Sequence, residues 1–354
     1  MVRGLVAAAF NDTATAERLL RDVIRTAPGS DAVDLAYATL GRIYVRSGQY
    51  TRFATHYEAW AAAMPASTTV RDERQDYEKF RGRPNQINGP RRQSSLRHSP
   101  DGYLTLPISV DGKTDEFIFD TGAWQSALTE REAKKLGMTI RDDGRTLTDL
   151  SGTKTSFRTA VAKEVALGAM RFRDVSFAVI TPGGALAGAE FGIIGLPIIL
   201  AMGGIDWSND GGAEFGGALR TTTREPNLVF TGGRLTVGVT VLGKDVLLAF
   251  DTGANGTNLN ANFADAFPEA PAQGKKGTSD LNGSGGTQTF ASVELAELVF
   301  SIGGARVPLR PVVVTLQRNA TAGGVCCVGN GGHDLLKQGS GFTIDLSKMV
   351  LQVR

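Results

Sequence analysis

Two carboxylates carry the chemistry this sequence offers. Asp120 opens the tetrapeptide Asp120-Thr121-Gly122-Ala123, and Asp251 opens Asp251-Thr252-Gly253-Ala254. The two stand 251 − 120 = 131 positions apart, each behind an apolar run, Phe117-Ile118-Phe119 and Leu247-Leu248-Ala249-Phe250. A carboxylate at the tip of a buried strand is costly unless it is hydrogen-bonded or shares a proton. Two such groups brought together cannot both ionise easily, so they share one proton, and one acts as base while the other acts as acid. Amide hydrolysis needs that combination: an activated water and a proton for the leaving nitrogen. The titration belongs to the pair rather than to either residue. Thr121 and Thr252 are suited to hydrogen-bond from one loop to the other, and Gly122 and Gly253 permit a tight turn that aims backbone N–H groups at the carboxylates. The chemistry requires neither a metal nor a cofactor, and His56, His98 and His333 do not stand at metal-ligand spacing.

The residues around each motif also repeat. Leu104-Thr105 returns as Leu235-Thr236, Gly112-Lys113 as Gly243-Lys244, and Thr148-Asp149-Leu150-Ser151-Gly152 as Ser279-Asp280-Leu281-Asn282-Gly283, all at the same offset. Further on the register slips by a few residues. Leu167-Gly168 matches Ile302-Gly303, Gly192-Ile193-Ile194-Gly195 lies opposite Gly329-Asn330-Gly331-Gly332, and Ile205-Asp206-Trp207-Ser208 matches Ile344-Asp345-Leu346-Ser347. Most of 101–354 therefore reads as one unit used twice. Leu104, Leu106, Ile108 and Val110 alternate with polar or small residues, as do Leu235, Val237, Val239 and Val241, so each set predicts a half-buried strand. Asp111-Gly112 and Leu242-Gly243 turn the chain into the strands that end at the aspartates. Thr129-Glu130-Arg131-Glu132 is a capping box for a short helix that Gly137 ends, and a weaker helix start falls at Asn260.

The chain of 354 residues has room for two or three domains with their own cores. A net charge of +2 gives no electrostatic case for nucleic acid or an anionic membrane, and no apolar stretch is long enough for a membrane-spanning helix. Cys326 and Cys327 are adjacent and are expected to stay unbonded, as small buried residues on a strand. Five of the six tyrosines but only Gly4, Gly29, Gly41 and Gly48 of the 44 glycines lie in 1–80. That segment reads as helical, and 101–354 as strands and tight turns. Between them, 81–100 carries five arginines among Pro, Gly, Ser and Asn and reads as an exposed, partly ordered linker.

Residues 34–67 resemble a tetratricopeptide repeat: Tyr37, Leu40, Gly41 and Tyr44 on one helix, Gly48 and Tyr50 at the turn, Phe53, Tyr57 and Trp60 on the next, then Pro65. Gly41 lets the paired helices approach while the aromatics fill the seam. Ala14 to Ile24 looks like the second helix of an earlier pair, with Val2 to Phe10 as its partner. Such repeats often bind peptides, so a protein partner through 1–80 is one expectation; a cap packed on the β domain is the other. A start inside a helix pair also hints at residues upstream.

Residues 101–354 resemble an aspartic protease of the retropepsin/pepsin type with both lobes in one chain. The Ala after each Asp-Thr-Gly is the retropepsin form. In that family an apolar-apolar-Gly element crosses behind each catalytic loop, which Phe191-Gly192-Ile193-Ile194-Gly195 fits and Asn330-Gly331-Gly332 does not. The resemblance implies a mainly β, bilobal acid-protease fold of two duplicated β-barrel lobes behind an N-terminal α-helical, tetratricopeptide-like domain. Its divisions are 1–80 helical domain, 81–100 linker, 101–222 first lobe and 223–354 second lobe. It implies catalytic Asp120 and Asp251, loop support from Thr121, Gly122, Thr252 and Gly253, and two substrate-binding hairpin flaps. Leu150, Ser151 and Gly152 lie in one flap and Leu281, Asn282 and Gly283 in the other, each flap beginning 29 positions past its aspartate (149 − 120 and 280 − 251). No Tyr follows Tyr103, so the flap tyrosine of pepsins is missing, and Trp124 follows the first motif where Asn255 follows the second. The implied function is an aspartic endopeptidase acting on peptides or proteins; the alternative is an inactive peptide-binding scaffold. Two lobes in one chain predict a monomer. Relatives of this architecture are often bacterial and exported, so a periplasmic or secreted protein whose export signal lies outside this sequence is a further expectation.

Overall fold

The computed structural model describes residues 1–98, 102–148, 154–180, 192–219, 221–222, 225–283, 286–316 and 326–354. The chain opens with five helices: α1 (Val2–Ala9), α2 (Thr13–Thr26), α3 (Asp31–Arg46), α4 (Tyr50–Ala63) and α5 (Thr68–Phe80). Asp12 caps α2 by accepting from Thr15 N, and Ser67 caps α5 by accepting from Val70 N. α3 packs on α4, and α4 on α5, through aromatic pairs. Tyr37 stacks on Trp60 at 5.9 Å between ring centres, and Tyr50 stacks on Phe80 at 4.9 Å. A Cβ on Gly41 would stand 3.2 Å from the Phe53 ring, so its absence sets how closely α3 and α4 approach.

The described part of the linker, 81–98, is woven into the β body by strand pairing, although more than half of its residues stay exposed. Ile87–Asn88 adds a strand to Met170–Ile180, and Ser94–Arg97 pairs with Gly212–Phe215. Arg83 is 2% exposed, with Nη1 donating to Gln125 Oε1 at 2.5 Å, and Arg91 Nε donates to Ala201 O at 2.9 Å. Strand pairing with distant edges consumes the backbone that the Pro, Gly and Arg content left free in the linker reading. The helices are seated on the same body. The Arg46 guanidinium lies 3.8 Å from the centre of the Phe230 ring while Nη2 donates to Ala8 O at 2.8 Å, and Trp124 packs against the helical core.

The rest is mainly β, in barrel-like sheets. In the first sheet Thr105–Val110 pairs with Lys113–Phe119 on one side and with Lys154–Leu167 on the other. Met170–Ile180 pairs with both Lys154–Leu167 and Ser126–Thr129, which closes the sheet on itself. The second sheet follows the same plan: Arg234–Val241 pairs with Lys244–Phe250, and Asn258–Leu259 runs parallel to Val312–Thr315. Correspondence reaches single residues. Asp111 and Leu242, at the tight turns, both take positive φ (48° and 49°), as do Gly112 and Gly243 after them. A third sheet of five strands draws on both halves. Gly204–Ser208 lies antiparallel to Gly341–Asp345 with Ile205 opposite Ile344, so two segments that match in sequence are bonded to each other. The N-cap half of the capping box forms: Thr129 Oγ1 accepts from Glu132 N, α6 (Glu130–Leu136) follows, and Gly137 ends it at φ 77°. Asn260 caps Ala261–Ala266. Among the described residues, no helix is long and apolar enough to cross a membrane.

Candidate active site

The two motifs meet at one point. Each aspartate follows a strand whose inner neighbour is parallel: Phe119 lies beside Ile194, and Phe250 beside Gly331. Those neighbours hold the aspartates by their backbones, Asp120 N donating to Ile194 O at 3.1 Å and Asp251 N to Gly331 O at 3.0 Å. Asn330-Gly331-Gly332 thus supplies the same crossing strand as Ile193-Ile194-Gly195 despite its polar composition. After each crossing strand the chain ties back to the loop, through Leu196 N to Ala123 O and His333 N to Ala254 O, both 2.9 Å.

Within each loop the N–H groups two and three residues on converge on one carboxylate oxygen. Gly122 N and Ala123 N donate to Asp120 Oδ1 at 2.8 and 3.1 Å; Gly253 N and Ala254 N donate to Asp251 Oδ1, both at 3.1 Å. Between the loops the threonines cross. Thr121 N donates to Thr252 Oγ1 and Thr252 N to Thr121 Oγ1, each at 3.1 Å. Thr121 Oγ1 donates to Phe250 O at 2.8 Å, and Thr252 Oγ1 to Phe119 O at 2.5 Å. All four groups are buried, where an unpaired donor or acceptor costs about 1–3 kcal/mol.

The glycines bring the acids together. A Cβ on Gly122 would stand 2.6 Å from Asp251 Cγ, and one on Gly253 2.4 Å from Asp120 Cγ. Each carboxylate therefore lies against the glycine of the opposite motif. Burial, the neighbouring charge of Asp251 and a hydrogen bond to its carboxyl hold the Asp120 carboxyl well above the usual carboxylate range, against the pull of the Gly122 and Ala123 N–H groups. The pair can hold one proton between two oxygen-rich groups, which suits water activation on one side and proton donation on the other.

Three residues near the acids stand outside the motifs. Asn330 Nδ2 donates to Asp251 Oδ2 at 3.0 Å. Arg234 is half-buried and electrostatically attracted to Asp251, although burial lowers its pKa. His333 is 4% exposed; burial, then the charge of Lys337, favours its neutral form. Asn330 was visible in the sequence as the break in an apolar element. Arg234 and His333 left no signal beyond their nearness to motif residues.

The strands that flank both expected hairpin tips are paired, while 149–153 and 284–285 lie outside the described residues. Ile140–Thr148 and Lys154–Leu167 pair up to Thr148 opposite Lys154; Leu150, Ser151 and Gly152 lie outside the described residues. In the second hairpin Leu281, Asn282 and Gly283 form the end of Lys275–Gly283, paired with Gln288, Thr287 and Gly286. Cys326 and Cys327 correct the sequence reading: they are bonded to each other (S–S 2.02 Å) and half-buried outside any strand. The Cys327 carbonyl accepts from Asn260 Nδ2 and Asn262 Nδ2 at 3.1 and 3.0 Å.

Residues 106–198 match the model of a family described as aspartyl protease, a span that contains the first motif and its crossing strand. No curated protein matches the chain. Among solved structures, the chain is similar to a retropepsin-like aspartic protease from Rickettsia conorii at 19% identity, over 37% of this chain and 92% of that one, with a TM-score of 0.26.

Proposed function

We propose that this chain is an aspartic endopeptidase of the retropepsin type, with 101–222 and 223–354 as two copies of one lobe and Asp120 and Asp251 as its catalytic pair. A water held between the two acids adds its oxygen to the scissile carbonyl carbon. One acid takes a proton from the water as the other gives its proton to the carbonyl oxygen. Collapse of the resulting gem-diol, with a proton delivered to the nitrogen, breaks the C–N bond. Thr121, Gly122, Thr252 and Gly253 hold the two loops in register. The hairpins carrying Leu150, Ser151 and Gly152 and Leu281, Asn282 and Gly283 close over the peptide from either side. The chain acts as a monomer, without metal or cofactor. The helices of 1–80 are a tetratricopeptide-like cap seated on the protease body, a reading supported by Arg46 on Phe230 and by Trp124, next to the first motif, in the helical core.

One observation carries the reading: each carboxylate sits against the glycine of the opposite motif, closer than a Cβ would allow. Such crossing brings two acids from distant parts of the chain within reach of one water. The test is cleavage of a mixed peptide library by the full chain from acidic to neutral pH. Cleavage that survives Asp120→Asn and Asp251→Asn alike would sink the proposal.

A further inference from the structure

The two acids are not held alike. In the first sheet the residue beside the aspartate strand is Ile193, paired with Ile118; in the second it is Asn330, paired with Ala249. Isoleucine offers Asp120 no side-chain donor. The Asn330 amide donates to Asp251 Oδ2 at 3.0 Å, while the Gly253 and Ala254 N–H groups occupy Oδ1. Both oxygens of Asp251 thus accept N–H hydrogen bonds. That environment suits a carboxylate, which only accepts, better than a carboxylic acid, which must use one oxygen to donate. Of the other charged groups around Asp251, one acts in the same sense and one lends no charge. Arg234 attracts negative charge there. His333 is driven toward its neutral form by burial and by Lys337, with Asp334 and Asp251 opposing.

We infer that Asn330 is a positioning residue that keeps the shared proton of the pair on Asp120 and leaves Asp251 as the carboxylate. The chemical consequence rests on the protease reading above. Asp251 is then the base that takes the proton from water as the water oxygen bonds to the carbonyl carbon, and Asp120 is the acid that protonates the carbonyl oxygen. After that step the proton has changed sides, and Asn330 favours its return.

The deciding experiment is a carboxyl-¹³C titration of the full chain with labelled aspartate, the two signals being assigned with Asp120→Asn and Asp251→Asn. Where the pair holds one proton, the protonated signal is expected on Asp120 and the ionised one on Asp251. In Asn330→Leu, similar in shape but without a donor, the first ionisation of the pair moves up by about one pH unit, the size expected when a charged group loses a hydrogen bond. Asn330→Asp moves it further. The acidic limb of kcat against pH follows the same shift, with KM changing less than kcat. A protonated signal on Asp251, equal sharing in the unsubstituted chain, or an unmoved first ionisation in the two variants would each overturn the inference. The assignment in the unsubstituted chain decides the matter even if Asn330→Leu fails to fold. A chain that keeps this proton order yet cleaves no peptide overturns the protease reading alone. A cleaving chain with the proton on Asp251 overturns this inference alone.

Discussion

Thr121 and Thr252 each use one hydroxyl twice. Each accepts from the other's backbone N–H at 3.1 Å and donates to the carbonyl that precedes the opposite aspartate. Four buried hydrogen bonds thus couple two loops that are far apart in the chain. Thr252→Val keeps the shape but strands Thr121 N and Phe119 O without a partner. It is expected to cost about 2–4 kcal/mol, taking 1–3 for each stranded group with partial relaxation. Equilibrium urea unfolding measures it, and an unchanged midpoint would contradict the account.

Gly122→Ala tests closeness rather than hydrogen bonding. The added methyl carbon would lie 2.6 Å from Asp251 Cγ, so the carboxylates must move apart. Displacement of reacting groups by about 1 Å costs on the order of 100-fold in rate. Peptide cleavage by Gly122→Ala is expected to fall at least that far while its circular dichroism matches the unsubstituted chain. Retained activity would mean the acids do not need this contact.

The raised pKa of Asp120 gives stability a definite pH dependence. Because the folded chain holds this proton more tightly than the unfolded chain does, stability is fully present below about pH 3.9, the ordinary Asp value, and falls as pH rises through the folded value. Asp120→Asn is neutral at every pH and should lose that falling slope. Urea midpoints over a pH series for the two chains make the comparison. The same proton predicts cleavage that is best in acid and declines toward alkaline pH, and a rate maximum in alkaline solution would contradict a shared-proton mechanism.

Arg46 is expected to be the main anchor of the helices. Arg46→Met removes the cation over Phe230 and the bond to Ala8 O, both in a buried setting. A loss of about 2–4 kcal/mol follows, with faster proteolytic release of the helical segment. Because Trp124 packs into the same core, cleavage of short peptides should fall as well. Unaltered peptide cleavage would show the helices to be independent of the site.

Much of this was legible because the motif repeats. The offset between Asp120 and Asp251 located the matching turns at Asp111-Gly112 and Leu242-Gly243, the helix starts at Thr129 and Asn260, and the paired hairpins. Local rules of turn and cap chemistry then apply to each copy separately. Asn330 was legible as an exception but not as a partner of Asp251, since the direction of its side chain depends on a parallel pairing with Ala249. Arg83 was hidden for a similar reason: its surroundings, Gln125 and Ser176, are 42 and 93 positions away. The bond between Cys326 and Cys327 was missed because adjacency alone argued against it.

The five-stranded sheet has a consequence for how the protein is made. Val350–Val353 lies beside Gly341–Asp345, which lies beside Gly204–Ser208, and the series continues through Gly212–Phe215 to Ser94–Arg97. A ribosome delivers these strands over most of the synthesis, and domains usually fold in the order they emerge. Here the first half waits for strands encoded near residue 350 before its own edge is covered. A half-made chain carries Asp120 without Asp251 to face it. Under the protease proposal, the pair of acids and the sheet that joins the two halves are complete only when nearly all of this sequence has been translated.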